Sequence, residues 1–426
     1  MIPKLSMFRS NSRFVASHPT PSIHSSDIRS GTFLRLDARE ICGRVLLIGL
    51  SLLFTIALLE GTFRLFPTLL PGEIQQRVLV ASSNIAVSHP KIGHLHKPNA
   101  NGMIVSRDFR VSHHTDAFGF RNAWPWPEHI EIVAVGDSLT FGYGVADDQA
   151  WPAILNRALP DANVLNLGLI GAGPQQYLRV YETFIKSLRP RFLLIGLFPG
   201  NDFWDADMFD RWLKSNSDCS YLVWRDYGGP KGSRCSDSLS WQTDLFLKGS
   251  YLYNVLFEVR NGVRSYIQSD HRTLRLNDGS RLVLNVGQFE NQLPATLPDR
   301  VEFRLVLKTL RELHITAQSH DTKVLVVIQP SKEEVYMPLL GQAIPDFSVH
   351  LREELNTSGI EYLDLTKSFR QRAARGEKLF FEYDPHPNAA GYALIADSVL
   401  AYLKQNSPKD SLHTGDKFPV KFRARF

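Results

Sequence analysis

The chain has 426 residues, of which 43% are hydrophobic and 21% are charged, and its formal net charge at pH 7 is +5. This length exceeds that of a typical single domain, and the composition is that of a chain able to bury a hydrophobic core. The small positive charge is spread along the sequence without a basic stripe carrying interleaved aromatic residues, which argues against a nucleic-acid partner.

An apolar segment near the N-terminus predicts a membrane anchor. Val45 to Leu59 reads VLLIGLSLLFTIALL without a charge, and apolar residues on both sides extend it toward membrane-spanning length, with a buried core helix as the alternative. The residues before it are Ser-rich and basic, whereas those after it are balanced in charge. No small-x-small site follows, which argues against a cleaved signal peptide. We predict a disordered cytoplasmic tail at 1–40, a signal anchor at 41–66 and a periplasmic or extracellular body.

The segment between the anchor and the main body, residues 67–128, is rich in Pro, His and Gly and predicts a linker with an extended part packed on the body. It contains His113 and His114, which as neighbours on an extended chain point to opposite faces and do not predict a metal site. We expect neither a metal nor a cofactor. Further along, Cys219 and Cys235 have a spacing that a disulfide closes, with two unpaired buried thiols as the alternative.

Residues 129–405 alternate between short apolar runs and amphipathic stretches. This rhythm indicates buried parallel strands covered by helices on both faces, an α/β fold. The predicted strands are Ile130 to Gly136, Asn163 to Gly168, Arg191 to Phe198, Lys323 to Pro330 and Glu361 to Leu365. The predicted helices include AWPAILNRAL, QQYLRVYETFIKSL, VEFRLVLKTLRELHITAQSH and AAGYALIADSVLAYLKQ. A C-terminal tail is expected over 406–426.

Polar or glycine-rich turns follow the predicted strands at the edge where ligands bind in such sheets. The first strand ends at Asp137 and Ser138, the second leads into GLIGAGPQQ, and the third leads into PGNDFWD. A fourth polar stretch, FFEYDPHPNAAGY, precedes the last helix. Four such turns at one edge predict a single functional site.

The residues in these turns suit nucleophilic acyl transfer. Ser138 is a weak nucleophile until a base removes its proton, and His386 is a suitable base. Asp384, two residues before His386, can accept a hydrogen bond from the other ring nitrogen and stabilise the imidazolium. The N–H groups of Ser138 and Gly171 and the side-chain amide of Asn201 are candidate donors to the oxyanion of the tetrahedral intermediate.

The four blocks GDSLTFGYG, NLGLIG, GND and DPHPN stand in an order and spacing that resembles the SGNH (GDSL-type) hydrolase superfamily over about Ile130 to Leu403. The resemblance implies a three-layer α/β/α, flavodoxin-like fold and esterase, lipase or carbohydrate O-acetyl-ester chemistry. It also implies that Ser138 is the nucleophile, His386 the base, and Gly171 and Asn201 the oxyanion donors. Asp137 is then a motif residue that supports the turn by hydrogen bonds.

The position of the acid departs from the pattern of many superfamily members. Those members carry the acid three residues before the histidine, where this chain has Tyr383. The Asp-x-His spacing of Asp384 and His386 resembles a subset that includes enzymes acting on exported polysaccharides. Asp364, at the end of the fifth strand, is the fallback acid, and capping of a turn is its simpler role.

An insertion at about 205–300 separates the third and fourth strands and is predicted to form a cap over the site. Its aromatic residues either stack on a sugar or fill the insertion's own small core, and we favour the second role for most of them. The aromatic residues in or beside the insertion are Trp204, Trp212, Tyr221, Trp224, Tyr227, Trp241, Tyr251 and Tyr253.

Three functions follow from these observations. The favoured one is a membrane-anchored, extracytoplasmic serine ester hydrolase acting on acyl esters, O-acetyl esters included, of a small molecule or glycan. The second is an O-acyltransferase that uses the same serine to modify an envelope polysaccharide, and it is separated from the first by whether a sugar outcompetes water. The third is a catalytically inactive binding protein, against which the intact Ser138, Asn201 and His386 argue. A nucleotide-binding protein is disfavoured because GLIGAGPQQ lacks the Gly-x-Gly-x-x-Gly spacing.

Overall fold

The computed structural model describes residues 38–83, 85–215, 217–227, 248–268, 271–285, 298–342, 344, 346 and 348–406. The chain divides into two compact units, Met1–Thr55 and Ile56–Phe426. The described part of the first unit is helical throughout. The second unit contains every strand and every other helix of the described residues.

Helix α1 (Ala38–Leu65) carries the apolar segment. Its part Arg39–Leu65 has 27 residues and reaches a mean hydropathy of 2.3. At 1.5 Å per residue it is about 40 Å long, which exceeds a hydrocarbon core of about 30 Å. Most of its large apolar side chains between Ile41 and Leu65 are exposed. By length and composition α1 is able to cross a membrane once.

Residues 67–128 hold more regular structure than the linker and extended segment expected there. They form helix α2 (Gly72–Ser83) and two antiparallel hairpins. The first hairpin pairs β1 (Ala86–His89) with β2 (Gly93–His96), and the second pairs β3 (Asn101–Val105) with β4 (Arg110–His114). These strands are only four or five residues long, and they pack on the main body rather than joining its sheet.

A five-stranded parallel sheet forms the centre of the second unit, as predicted. The strand order is β11-β10-β7-β5-β6, which in order of appearance in this sheet is the 2-1-3-4-5 arrangement of flavodoxin-like folds. The five strands are β5 (Ile132–Gly136), β6 (Val164–Gly168), β7 (Phe192–Leu197), β10 (Lys323–Ile328) and β11 (Glu361–Asp364). A separate hairpin, β8 (His271–Arg275) with β9 (Arg281–Asn285), lies in the predicted insertion.

Helices cover both faces of the sheet, so the fold is the predicted three-layer α/β/α. Successive residues of β5 point to opposite faces: Val133 and Val135 enter one hydrophobic core, and Ile132 and Ala134 enter the other. The first core is closed mainly by α5 (Pro174–Val180), α6 (Asp202–Lys214), α9 (Val301–Gln318) and α11 (Val349–Thr357). The second is closed mainly by α4 (Trp151–Ala158), α12 (Thr366–Ala374) and α13 (Ala389–Asn406).

The remaining helices are short or belong to the insertion. Helix α3 (Ser138–Phe141) follows β5, α7 (Tyr221–Tyr227) and α8 (Tyr251–Gln268) follow α6, and α10 (Lys332–Tyr336) follows β10. The N-terminus of α8 is capped by Glu60 of α1, whose carboxylate accepts from the backbone N–H groups of Tyr251 and Leu252. This cap joins the insertion to the end of the apolar helix.

Two of the three cysteines lie within the described residues. Cys219 is disulfide-bonded and Cys42 is free. Cys235, the partner that the sequence predicts for Cys219, lies outside the described residues.

Three glycines in register across the sheet make room for α3. Gly136 of β5 pairs with Gly168 of β6 on one side and with Gly196 of β7 on the other. A Cβ atom on Gly168 would lie 2.3 Å from the backbone nitrogen of Phe141, inside α3. The row of glycines therefore lets the short helix sit directly on the strand ends.

Gly168→Ala is expected to lower the free energy of unfolding by about 3 kcal/mol, because the backbone of Phe141 cannot rotate out of the way. Gly279→Ala is the control. No atom lies within 4 Å of the Cβ built on Gly279, and its φ of +81° alone should cost about 1 kcal/mol. Denaturant unfolding of both variants in detergent checks this. Equal stability of the two would contradict the steric role of the glycine row.

Candidate active site

The polar turns meet at the carboxyl edge of the sheet, where β5 lies between β6 and β7. This is the point at which the strand order reverses, the usual position of ligands in open α/β sheets. Ser138 follows β5, Gly171 follows β6 and Asn201 follows β7. The three turns are neighbours because their strands are neighbours.

The structure brings Ser138, His386 and Asp384 into one chain of hydrogen bonds. Ser138 Oγ lies 2.8 Å from His386 Nε2, and His386 Nδ1 lies 2.7 Å from Asp384 Oδ1. The same Asp384 oxygen accepts from the backbone N–H of His386 at 2.9 Å. With Nδ1–H donated to the carboxylate, Nε2 is free to accept the serine proton, which is the arrangement a general base requires.

Asp384 is held in its ionised form. Burial opposes its ionisation, but the electrostatic attraction of His386, the hydrogen bonds from the His386 ring and backbone N–H, and the Lys332 ammonium together hold the pKa of Asp384 below its usual range. The Tyr143 ring packs against the imidazole, with its centroid 4.6 Å from that of His386. The imidazole is thus oriented by a carboxylate and packed by an aromatic ring.

Asp137 forms hydrogen bonds that hold the turn carrying Ser138. Its Oδ1 accepts from the backbone N–H of Leu139 at 2.8 Å and so caps α3. Its Oδ2 accepts from the side-chain amide of Asn201 at 3.2 Å. Burial raises the pKa of this fully enclosed carboxyl. Asp137 therefore connects the turn that carries Ser138 to Asn201, and among the described contacts its carboxylate forms no hydrogen bond with His386.

Asn201 and Gly171 lie in the turns where oxyanion donors are predicted. The Asn201 amide uses one hydrogen on Asp137, and an amide NH₂ carries two, so a second remains for another acceptor. Gly171 has a φ of +70°, and its carbonyl accepts from Arg225 Nη1 at 3.1 Å. Ser138 is the first residue of α3, where a backbone N–H has no partner within the helix. Their role as oxyanion donors stays a prediction.

Two histidines that the sequence analysis did not select fix the turn that carries Gly171. His96 Nε2 accepts from the backbone N–H of Ile170 at 3.2 Å, and His94 Nε2 lies 2.9 Å from the carbonyl of the same residue. His96 Nδ1 lies 3.1 Å from the carbonyl of Gly119. Burial lowers the pKa of His96 to about 3, so it stays neutral and can accept and donate at once. The sequence GHLH, which places two histidines on one face of a strand, is the feature that could have identified them.

Arg121 fixes the loop after α3 in a comparable way. Its guanidinium donates to the carbonyls of Phe141, Gly142 and Val145 while its side chain is buried. Arginine is suited to this role because it carries five N–H donors in a planar group. No sequence motif marks this residue.

The less favoured candidates have structural roles. Asp364 accepts from the backbone N–H of Thr366 and from Arg352, as expected of a turn cap. His113 is buried, whereas His114 is exposed and paired with Asp147. Among the residues that the structure describes, no group of three or more His, Cys, Asp or Glu side chains is placed to hold a metal ion.

The described aromatic residues at the start of the insertion mostly pack on each other. Trp224 is buried against Met208 and Cys219, and the Trp212 ring contacts that of Tyr221. Trp204 is the exception, with 56% of its surface exposed. Trp241 and the side chain of Tyr227 lie outside the described residues.

Comparison with known proteins gives three findings. Residues 294–423 match the family of the SGNH hydrolase-like domain of the acetyltransferase AlgX. A 72-residue stretch is 36% identical to thioesterase 1/protease 1/lysophospholipase L1 of Escherichia coli strain K12; it represents 17% of this chain, and the match spans about a third (34%) of that relative.

Solved structures also align with the chain. A member of the lipolytic G-D-S-L family from Veillonella parvula aligns over 65% of this chain and 99% of its own, with 15% identity and a TM-score of 0.34. An acetylxylan esterase from Geobacillus stearothermophilus aligns over 64% and 93%, with 12% identity and a TM-score of 0.33.

Asp205, near the Gly171 turn, predicts a pH dependence of stability. Burial, reinforced by the Asp137 carboxylate, raises the pKa of Asp205 from 3.8 to about 7, so between these values the folded chain holds a proton that the unfolded chain releases. Stability from this group therefore falls by up to about 1.4 kcal/mol per pH unit from about pH 4 to pH 7 and is level above. In Asp205→Asn the loss between pH 5 and pH 7 should shrink by about 2 kcal/mol.

Denaturant unfolding at the two pH values checks this. Asp207→Asn, which removes a surface ion pair with Arg211 on the same helix, is the control and should keep the parental slope. A slope unchanged in Asp205→Asn would contradict the assignment.

The comparisons, the four sequence blocks and the 2-1-3-4-5 sheet agree on one assignment. The serine and histidine blocks, far apart in the sequence, also meet in space. Together these findings support a resemblance of this chain to the SGNH (GDSL-type) hydrolase superfamily.

Proposed function

We propose that this protein is a serine enzyme that cleaves acyl esters, O-acetyl esters included, through an acyl intermediate on Ser138. The observation that carries the proposal is the hydrogen-bond chain from Asp384 through His386 to Ser138, with both links at 2.8 Å or less. Such a chain supplies a nucleophile, its base and the group that orients the base.

The reaction begins when Ser138 Oγ attacks the ester carbonyl carbon while its proton passes to His386 Nε2. The carbonyl oxygen becomes an oxyanion, for which Ser138 N–H, Gly171 N–H and Asn201 Nδ2 are the proposed donors. On collapse the bond to the alcohol oxygen breaks, and His386 returns the proton to that oxygen. The acyl group then remains on Ser138 as an ester.

A second hydroxyl completes the cycle. His386 removes a proton from water, the hydroxide equivalent attacks the acyl-serine carbonyl, and the released Ser138 Oγ recovers the proton from His386. Asp384 stays ionised throughout and stabilises the imidazolium that forms in each half-reaction. The same steps with a sugar hydroxyl in place of water give acyl transfer.

The proposed location is outside the cytoplasm. Helix α1 is the proposed single-pass anchor at 41–66, the basic residues before it favour a cytoplasmic tail at 1–40, and the hydrolase-like domain at 129–405 with its insertion at about 205–300 follows. The disulfide at Cys219 supports an oxidising compartment. An ester-bearing small molecule or glycan at the envelope is then the proposed substrate.

Acyl transfer to a glycan is the second candidate. The match of residues 294–423 to the domain of an acetyltransferase favours it, and this stretch contains both Asp384 and His386. Hydrolysis and transfer share the acyl-Ser138 step, so they differ only in the hydroxyl that accepts the acyl group.

Ser138→Ala and His386→Ala are each expected to lower the turnover of p-nitrophenyl acetate by at least about 10⁴-fold, because each removes a group that takes part in bond making. Asp364→Asn is the matched control and should retain parental turnover. The assay uses the full chain in detergent, beside labelling of Ser138 by a fluorophosphonate. A folded parent with neither turnover nor labelling would favour the inactive binding protein.

The accepting hydroxyl is tested by product balance. With p-nitrophenyl acetate and a mixture of oligosaccharides, a transferase releases p-nitrophenol faster than acetate and yields acetylated sugar. A hydrolase releases the two products in equal amounts at every sugar concentration. Mass spectrometry of the sugars and quantification of acetate decide between these outcomes, and Ser138→Ala gives the background.

A further inference from the structure

The loop that precedes His386, the proposed base, is held by hydrogen bonds with two side chains, Lys332 and Asp108. Neither takes part in the reaction steps proposed above. Lys332, the first residue of α10, is 1% exposed, and its Nζ donates to four consecutive carbonyls: Phe381 at 3.3 Å, Glu382 at 3.2 Å, Tyr383 at 3.2 Å and Asp384 at 3.1 Å. A lysine ammonium has three donors, so these four oxygens share them.

Asp108 contacts the same loop through its N–H groups. One carboxylate oxygen, Oδ2, accepts from the backbone N–H of Tyr383 at 2.9 Å and of Asp384 at 2.7 Å. Asp108 lies in the turn between β3 and β4, far from Lys332 in the sequence. The peptide units beside Asp384 are thus held through their carbonyls by a cation and through their N–H groups by an anion.

The shape of the loop requires a buried cation at this position. Four carbonyl dipoles that converge on one point repel each other unless a positive charge lies between them. Burial lowers the pKa of Lys332, and the carboxylates of Glu333, Asp384 and Asp108 oppose that effect. The loop's curvature and the buried ammonium therefore depend on each other.

We propose that Lys332 and Asp108 are positioning residues of the reaction: together they fix the backbone of residues 381–384 and thereby aim the Asp384–His386 pair at Ser138. The inference rests on the proposed function and adds two residues to it. Neither side chain forms a hydrogen bond with Ser138 or His386 among the described contacts.

The geometry explains why a small displacement matters. His386 is two residues beyond Asp384, and Phe381 N donates to the His386 carbonyl at 3.2 Å, so the base moves with the clamped backbone. Misplacement of a catalytic group by about 1 Å costs about 100-fold in rate. Loss of either clamp should therefore slow the attack by Ser138 more than it weakens substrate binding.

The test uses the full chain in detergent with Lys332→Met, Asp108→Ala and Asp108→Asn. Lys332→Met and Asp108→Ala are expected to lower kcat by about 10- to 100-fold with KM changed by less than about 2-fold. Asp108→Asn retains an oxygen that can accept from both N–H groups, so it should keep most of the kcat that Asp108→Ala loses. Glu382→Gln, which alters a side chain of the same loop paired with Arg281, is the matched control.

Fluorophosphonate labelling separates positioning from unfolding. A misplaced base slows the labelling of Ser138 but leaves the final stoichiometry intact, whereas a misfolded fraction lowers the final stoichiometry. If Lys332→Met fails to fold, the Asp108→Ala and Asp108→Asn pair carries the test.

Two results would overturn the inference. One is folded Lys332→Met and Asp108→Ala proteins with parental labelling rate and kcat. The other is Asp108→Asn as slow as Asp108→Ala, since the acceptor oxygen would then not be what matters. Full activity in Ser138→Ala is a different outcome, which defeats the proposed function itself.

Discussion

The candidate site depends on one constraint: its residues lie on loops, and the buried backbone groups of those loops must find hydrogen-bond partners. A buried N–H or carbonyl without a partner costs stability, and regular ladders cannot supply partners in a turn. Buried side chains do so here. Arg121 serves the loop after α3, His96 serves the turn before Gly171, and Lys332 serves the loop before His386. These polar contacts position the candidate site residues as much as the sheet does.

Many of the side chains that contact these loops lie outside the central sheet and the helices that cover it. His94, His96, Asp108 and Arg121 all precede the first strand of the sheet, in the stretch that begins soon after the apolar helix. The two histidines contact the turn before Gly171. Asp108 contacts the loop before His386, and Arg121 contacts the loop after α3. The segment between helix and sheet is therefore a component of the site.

How far the sequence predicts this architecture differs between its parts. The five strands of the sheet were predictable because runs such as KVLVVIQP are buried on both faces and read as continuous apolar segments. The meeting of Ser138, His386 and Asp384 was predictable because acyl-transfer chemistry restricts the residue types that work together. Lys332 and Asp108 were not, since each is a single polar residue whose partners are backbone atoms, and backbone atoms leave no trace in residue identity. The short hairpins over 86–114 were not predictable either. Their four- and five-residue strands are rich in histidine and show no clear alternation of apolar and polar residues.

Ser138 and His386 are 248 positions apart in the chain, yet their side chains are in hydrogen-bond contact. Ser138 is synthesised after one of the five sheet strands, whereas His386 is synthesised after all five. A chain that stops before the last loop therefore lacks the imidazole that contacts Ser138. On the proposed mechanism, activation of the serine therefore has to wait until the loop with His386 has folded against it, so a growing or truncated copy would carry no activated nucleophile.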